Sequence, residues 1–574
     1  MSVPRFGRRY AAAFILVATA CAPVGTPRLA PVVGDSARFE QFVDRYLEGP
    51  RERRSGNRDD TRDFLAGLDT AAAPRAAERA AGQLTLLRAM DTTRLSVPQR
   101  IDWLLVESYL MRTIADTVLH QAERIPGRYL TLGDLYWRVA GDRPPTPSDW
   151  RDIRRDLLRA PLAMDLGRRQ LREPPPLWVR LAVSTARSYS GFLGGEFANR
   201  VRSTAPDTLR ESLLAAGERA RSALDGYAAF LQDTLRPGAE GSWGSGREYY
   251  DWVLAHTNFL GYGADSMIAL GRRLHAETKS ALDSLAATIR PGTPWRVLAD
   301  EMRERHPEAG HVTEAYQRAS HRVQGLLIRD DLVAIPPCEQ LTFVPTPPQL
   351  RETYAWGGYG GITVRDSVMV GRFFVTDVVP SMTPEQTREK LRTQNNGWIS
   401  VIALHEGYPG HHLQTTYARR NARRLRRSGG NSYYGEGWAL YAEHWMARAG
   451  LFENDDARLA QLQMRLWRTA RVIIDPSLHT GTMTYEQAVR FFVDEVGLER
   501  SAAEAEVNRF TTWPTQAPSY IVGWQEISRL EAEMRAGLGA RFSPKRFVEQ
   551  VLEAGPLPPA LLQRAVREAN GLTR

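Results

Sequence analysis

The sequence predicts a mainly helical body with one small β-sheet set just ahead of the helix that carries its candidate chemistry. Three observations lead there. Amphipathic helical stretches follow one another from 35 to 330, three short β-branched or aromatic stretches cluster between 331 and 376, and helical patterning resumes at Pro384. At 574 residues the chain exceeds the usual span of one hydrophobic core, so several domains or one large helical body are expected. A composition of 43% hydrophobic and 25% charged residues is that of an ordinary folded protein and sets disorder aside.

The predicted helices of the N-terminal region, 35–330, are Ala37–Tyr46, Val97–Asp116, Pro147–Leu171, Asp207–Leu235, Gly263–Ile289 and Val312–Leu327. Leu213, Ala216, Ala220, Leu224, Tyr227 and Leu231 show the pattern, one apolar stripe along a 3.6-residue helix. Pro174-Pro175-Pro176 and Arg236-Pro237-Gly238 punctuate these helices, and no fixed-period repeat suggests a solenoid. Leu341–Val344, Ile362–Val364 and Arg372–Thr376 read as strands, bounded by Pro and Gly clusters that include Gly357-Gly358-Tyr359-Gly360-Gly361. Thr383 then caps a helix whose first turn holds Pro384. The region 331–574 therefore carries both the sheet and the chemistry.

At the N-terminus, Arg5, Arg8 and Arg9 precede an apolar stretch, Tyr10–Ala20, that fits a secretory signal and is too short to span a membrane. Cys21 follows Ala18-Thr19-Ala20, so residues 1–21 resemble a bacterial lipoprotein signal, although Ala18 stands where leucine is commoner. The resemblance implies export, lipid attachment at Cys21 and residence at the periplasmic face of a bacterial membrane. Cys338 would be the only other cysteine, so no intramolecular disulfide is expected in the mature chain. No second apolar run approaches the length of a transmembrane helix.

The net charge of +9 is almost wholly arginine, the lysines being Lys279, Lys390 and Lys545 alone. The densest basic run, Arg419 to Arg427 with six arginines, lacks interleaved aromatics and any groove-reading motif, which argues against a nucleic-acid partner. Its plain reading is a solvated helix end or loop. Its functional readings are contact with an anionic membrane surface or with acidic substrates.

The stretch Ile399–Leu404 is an apolar helical run that ends in His405-Glu406, and His411-His412 follow after Gly407-Tyr408-Pro409-Gly410. In the zincin motif two histidines four residues apart share a helix face and hold zinc, while the intervening Glu serves as general base. Here the fourth position is Pro409, which cannot ligate. Pro409 also cannot donate to the carbonyl of His405, and its ring would clash there in a regular helix. A bulge at Pro409-Gly410 that absorbs two residues would bring His411 to the ligand position. The sequence therefore favours His405 and His411 as ligands and Glu406 as base, with His412 a neighbour or the competing ligand. Glu436, in Tyr434–Glu443, completes a two-histidine, one-carboxylate set that leaves a position open, and Glu443 lies two turns on, where it could bond a ligand imidazole.

His405 to His411 and Glu436 to Glu443 resemble the motifs of the bacterial proteins grouped as domain of unknown function 885. Gly371–Thr376, Arg471–His479 and Pro514–Gly523 extend the likeness through the C-terminal half. That family is grouped with thermolysin-like peptidases, and its build resembles angiotensin-converting enzyme and related oligopeptidases. The resemblance implies a zincin-like body that hydrolyses short peptides with zinc, as an oligopeptidase, dipeptidase or carboxypeptidase. It also implies a Tyr or His from a downstream helix facing the developing oxyanion, for which Tyr520 ranks ahead of His479. Arg372–Thr376 would pair with an extended peptide. The alternatives are a binding or scaffold lipoprotein with a structural metal, against which Glu406 speaks, and a metal-dependent hydrolase of non-peptide amides.

Overall fold

The computed structural model describes residues 34–572, apart from 50–60, 141–143, 347–350, 352–353, 355, 366 and 429. Cys21 and the signal-like stretch lie outside the described residues. Helices dominate, and the described strands form one three-stranded sheet, so the predicted class is the observed one. Helices at Asp35–Glu48, Val97–Ala115, Pro147–Gln170, Ala264–Ile289 and Val312–Arg329 match the predicted stretches, with ends shifted by a residue or two. The stretch predicted as Asp207–Leu235 is α-helical to Ala229 and widens into a π turn over Phe230–Leu235. Thr383 caps Pro384–Thr393 as expected: its hydroxyl accepts from the Gln386 N–H while the Gln386 side chain accepts from the Thr383 N–H.

The sheet consists of β1 (Glu339–Pro345), β2 (Gly357–Arg365) and β3 (Val368–Val375) in the order β1-β3-β2. β3 runs parallel to β1 and antiparallel to β2. Two expectations change here. The glycine run at 357–361 is part of β2 rather than its boundary. A Cβ on Gly357, whose φ is 149°, would come within 2.2 Å of the Phe374 carbonyl oxygen, and one on Gly360 within 2.1 Å of the Phe374 ring. Only glycine lets β2 lie this close to β3, and the register slips between Tyr359 and Ile362 as the strand passes. Second, β3, expected to bind a peptide by backbone pairing, is the central strand. Both its edges are already occupied, and the unpaired backbone belongs to β1 and β2.

Eight helices position the site. α1 (Ala264–Ile289) and α2 (Val312–Arg329) precede the sheet; α3 (Asn396–Glu406), α4 (His411–Arg420), α5 (Ser432–Arg448), α6 (Asp455–His479), α7 (Arg500–Thr512) and α8 (Ser519–Leu538) follow it. α6 is buried along almost its whole length, with α1 on one side and α3 on another. α5 and α8 cross at Gly437 and Gly523, where a Cβ on Gly437 would sit 2.5 Å from the Gly523 Cα, so neither helix can carry a side chain at the crossing. Phe39, Leu105, Tyr316, Phe373, Leu404, Trp438 and Phe547 belong to one continuous core that draws on residues from both sides of Asp330. A second core, with Trp150, Leu157, Val179 and Tyr227, lies within 129–239. A bond from the Trp178 indole N–H to Thr511 Oγ1, 3.1 Å, ties that region to α7.

The arginine run finds internal partners. Arg423 Nε and Arg426 Nε donate to the two oxygens of buried Asp102 at 2.6 and 2.7 Å, and Arg423 Nη1 donates to Glu40 at 2.8 Å. Arg424 pairs with Asp44. Half of the run thus binds the C-terminal half to the helices at 35–48 and 97–115. No helix among the described residues is long and apolar enough to cross a membrane.

Candidate metal centre

α3 is built to deliver His405 and Glu406 from a fixed body. Asn395 accepts from the Trp398 N–H at its start, and Val401, Ala403 and Leu404 are buried along its length. Its end differs from the expected bulge. The helix stops at Glu406, four residues cross, and α4 begins at His411. The Gly407 N–H closes α3 on the Ala403 carbonyl at 3.0 Å, and the Gly410 N–H reaches back to the Leu404 carbonyl at 3.1 Å. A Cβ on Gly410 would fall 1.9 Å from the His405 carbonyl oxygen, so the doubled-back chain requires glycine there.

The break delivers the expected residues. His405 and His411 face edge to face with ring centroids 4.9 Å apart, and Glu436 Oε2 lies 3.6 Å from His405 Nε2 and 3.2 Å from His411 Nε2. One ligand atom from each of the three lies within 4.8 Å of the others. His405 Nδ1 is 2.8 Å from Glu443 Oε1, a contact that orients the ring so that Nε2 faces His411 and Glu436. Arg468 holds Glu443 from beyond at 3.1 Å. Two imidazoles and a carboxylate, one imidazole bonded from behind by a second carboxylate, make a donor set that fits zinc. Burial opposes a charge on His411, but Glu436 and Glu406 outweigh it and hold its pKa up at about 9. Burial likewise opposes the charge on Glu436, and the two imidazoles override it, keeping the carboxyl well below the usual range.

Glu406 is half-buried and makes no hydrogen bond among the described residues; its charge acts on His411, Tyr316 and Tyr354. Tyr520, at the start of α8, stacks on His405 with centroids 6.1 Å apart and planes within 12°. The α5–α8 crossing at Gly437 and Gly523 puts it on the Glu436 side of the centre. Burial, then Glu436, pushes its pKa up to about 12, so its hydroxyl holds a proton to donate, while Arg471 and Arg509 pull the other way.

His412 is turned away from the three donors. Its ring is fully buried, with Nε2 on Glu339 of β1 and Nδ1 3.2 Å from the Tyr359 hydroxyl of β2. Tyr408 donates to the same Glu339 carboxylate. His479 is not brought to the cluster either. The Ser245 N–H donates to its Nδ1 at 3.3 Å, its Nε2 faces the Phe510 carbonyl at 3.0 Å, and its ring lies against Tyr250 and Trp243.

Sequence reasoning missed Glu339, which precedes the predicted strand and carries no motif. It also missed a group of arginines. Arg468 and Arg471, one turn apart on α6, place their guanidinium carbons 5.8 and 4.4 Å from the Tyr520 ring centroid. Glu506 of α7 pairs with Arg471 at 2.8 Å and with Arg509 at 3.4 Å. The signals in the sequence were the three-residue spacing of Arg468 and Arg471, which means little in so arginine-rich a chain, and the start of a family-like stretch at Arg471, to which no role was given.

A helical body with a small sheet is the fold class of this chain, and within it His405, His411 and Glu436 converge. The chain belongs to the family described as bacterial protein of unknown function (DUF885), whose model matches residues 52–566. A candidate lipoprotein of unknown function from Shewanella oneidensis is 20% identical and superposes with a TM-score of 0.74 over 93% of this chain and 99% of its own. A candidate lipoprotein from Colwellia psychrerythraea, 17% identical, gives a TM-score of 0.75 over 88% of this chain and 92% of its own. These likenesses establish the fold. No curated protein matches the chain.

Proposed function

We propose that the chain is a zinc-dependent peptidase of short peptides, exported and lipid-anchored through Cys21 at the periplasmic face of a bacterial membrane. The observation that carries this reading is the convergence of His405, His411 and Glu436 with Glu406 beside them on α3. A site that only held a metal for stability would need no carboxylate poised next to its ligands. The lipoprotein descriptions of the two solved relatives support the anchor.

His405, His411 and Glu436 would hold zinc, and zinc supplies Lewis acidity and a water of near-neutral pKa. Glu406 takes a proton from the attacking water and returns it to the leaving amine. Tyr520 donates to the oxyanion, and Glu443, braced by Arg468, fixes the tautomer and plane of His405.

Metal analysis and turnover of a short-peptide library test the reading together. About one tightly held zinc per chain is expected, and Glu406→Gln should keep the metal while losing activity by several orders of magnitude. His405→Ala, His411→Ala and Glu436→Ala should empty the site. His412→Ala should destabilise the fold yet retain zinc, because its ring serves Glu339 and Tyr359. A wild-type chain that binds no zinc, or a Glu406→Gln chain with normal turnover, would end the proposal.

A further inference from the structure

The arginines behind Tyr520 are not neutralised by their own surroundings. Arg468, Arg471 and Arg509 share two carboxylates, Glu443 and Glu506, and Glu443 is also engaged by His405. The nearby Asp475 bonds the Tyr250 hydroxyl and the Thr515 N–H through one oxygen, and burial pushes its pKa up to about 7. Arg471 is only 4% exposed, yet its Nε and Nη1 have no hydrogen-bond partner, and the same two nitrogens of Arg468 have none. A guanidinium in such a place ordinarily has its donors and charge satisfied, because an unpaired buried charge is costly. Arg471 is stacked between the Trp467 and Tyr520 rings at 4.5 and 4.4 Å, which fixes its plane. Arg509, with its side chain 31% exposed, is the member that reaches open space, and its charge acts on both Tyr520 and Glu436.

The geometry points to a carboxylate subsite formed by Arg509 and Arg471 that binds the free C-terminus of a peptide, so that cleavage releases a short piece of up to about three residues from that end. This inference rests on the peptidase reading for its cleavage and on the arginines alone for its binding. The span supports the assignment. Tyr520 contacts both groups, 4.4 Å from the Arg471 guanidinium and 6.1 Å from the His405 ring, so the two lie no farther apart than the sum of those distances, a span that up to about three extended residues cover at roughly 3.3–3.6 Å each. A planar carboxylate also suits the paired N–H groups of a guanidinium better than a lone hydroxyl or carbonyl would.

The test uses the Glu406→Gln protein, metal-free and zinc-supplemented, and calorimetry with three probes. These are an acetylated alanine tripeptide with a free C-terminus, its C-terminal amide, and an amide whose last residue is glutamate. The free acid should bind at least about thirtyfold more tightly than either amide, with Arg509→Gln collapsing the difference and Arg509→Lys, which keeps the charge, retaining part of it. Arg423→Gln, in the other arginine cluster, should leave the preference intact. Equal affinity for the free acid and its amide, or no binding of either in the millimolar range, overturns the subsite. Equal affinity of the glutamate amide overturns the terminal assignment. Product analysis on the wild type separates the two proposals. A binding preference without hydrolysis of any peptide sinks the peptidase and keeps the subsite, whereas equal hydrolysis of acid and amide does the reverse.

Discussion

Two arginine clusters lie in this protein, and the contrast between them separates charge that holds the fold from charge placed for a ligand. At the first, Arg423, Arg424 and Arg426 meet Asp102, Glu40 and Asp44, and Arg426 spends Nη1 and Nη2 on the Ala554 and Pro98 carbonyls as well. Every guanidinium has an acid and few donors are wasted. At the second, three guanidiniums share two acids and buried N–H groups are left over. Charge density is therefore a poor guide to function in an arginine-rich chain, whereas the unpaired remainder is a good one.

The contrast can be broken most directly at Asp102. Asp102→Ala strands two guanidiniums in the first cluster and should cost about 3–5 kcal/mol in urea unfolding, with zinc content and turnover per folded molecule preserved. If turnover fell as well, the clusters would not be separable. Tyr520→Phe should do the opposite, lowering kcat by about tenfold to a thousandfold while zinc content and stability stay close to wild type. Equal kcat in the two proteins would remove Tyr520 from the centre.

His479 sharpens the comparison by showing an imidazole held down by burial even with a buried carboxyl, Asp475, 3.9 Å from its Nε2. Burial holds its pKa down at about 4, so the unfolded chain binds the proton first, and stability present above pH 6.5 is lost as pH falls toward 4. This imidazole should cost about 3 kcal/mol over that window. Asp475, raised by burial to about 7, runs the other way and lies 3.9 Å from the ring, so the difference between wild type and His479→Gln across the window reports the imidazole together with its effect on that carboxyl. An identical pH dependence in both proteins would contradict the assignment. The smallest effect is expected at Arg424, whose side chain is 57% exposed and paired with a half-exposed Asp44: Arg424→Ala should change stability by less than about 1 kcal/mol.

Much of the fold was legible because its elements announce themselves locally. Apolar stripes gave the long helices, and short β-branched runs gave all three strands to within a few residues. What escaped depends on contacts distant in sequence. The glycine run reads as a loop until Phe374 is known to lie against it, and the central position of β3 is fixed by pairings that cross the sheet. At the site, residue types and spacing pointed to His405, His411, Glu436 and Glu443, which converge in space. Glu339 and the arginines behind Tyr520 were invisible because their surroundings, not their neighbours in sequence, give them a role.

The interruption between α3 and α4 gives the site a mechanical character of its own. Were both histidines on one continuous helix, their spacing would be a local property that a short peptide could reproduce. Here they ride on two separate rods, and the joint between them is tied through Tyr408 and His412 to Glu339 of the sheet. The distance between the imidazoles is thus set by tertiary structure, and metal affinity becomes a gauge of whether the sheet is docked. An ion that clasps both rods would in turn tighten the sheet, so stripping the metal should speed amide hydrogen exchange along β1 and β3 before it loosens the 129–239 core, which meets the sheet where Trp137 stacks on Phe374.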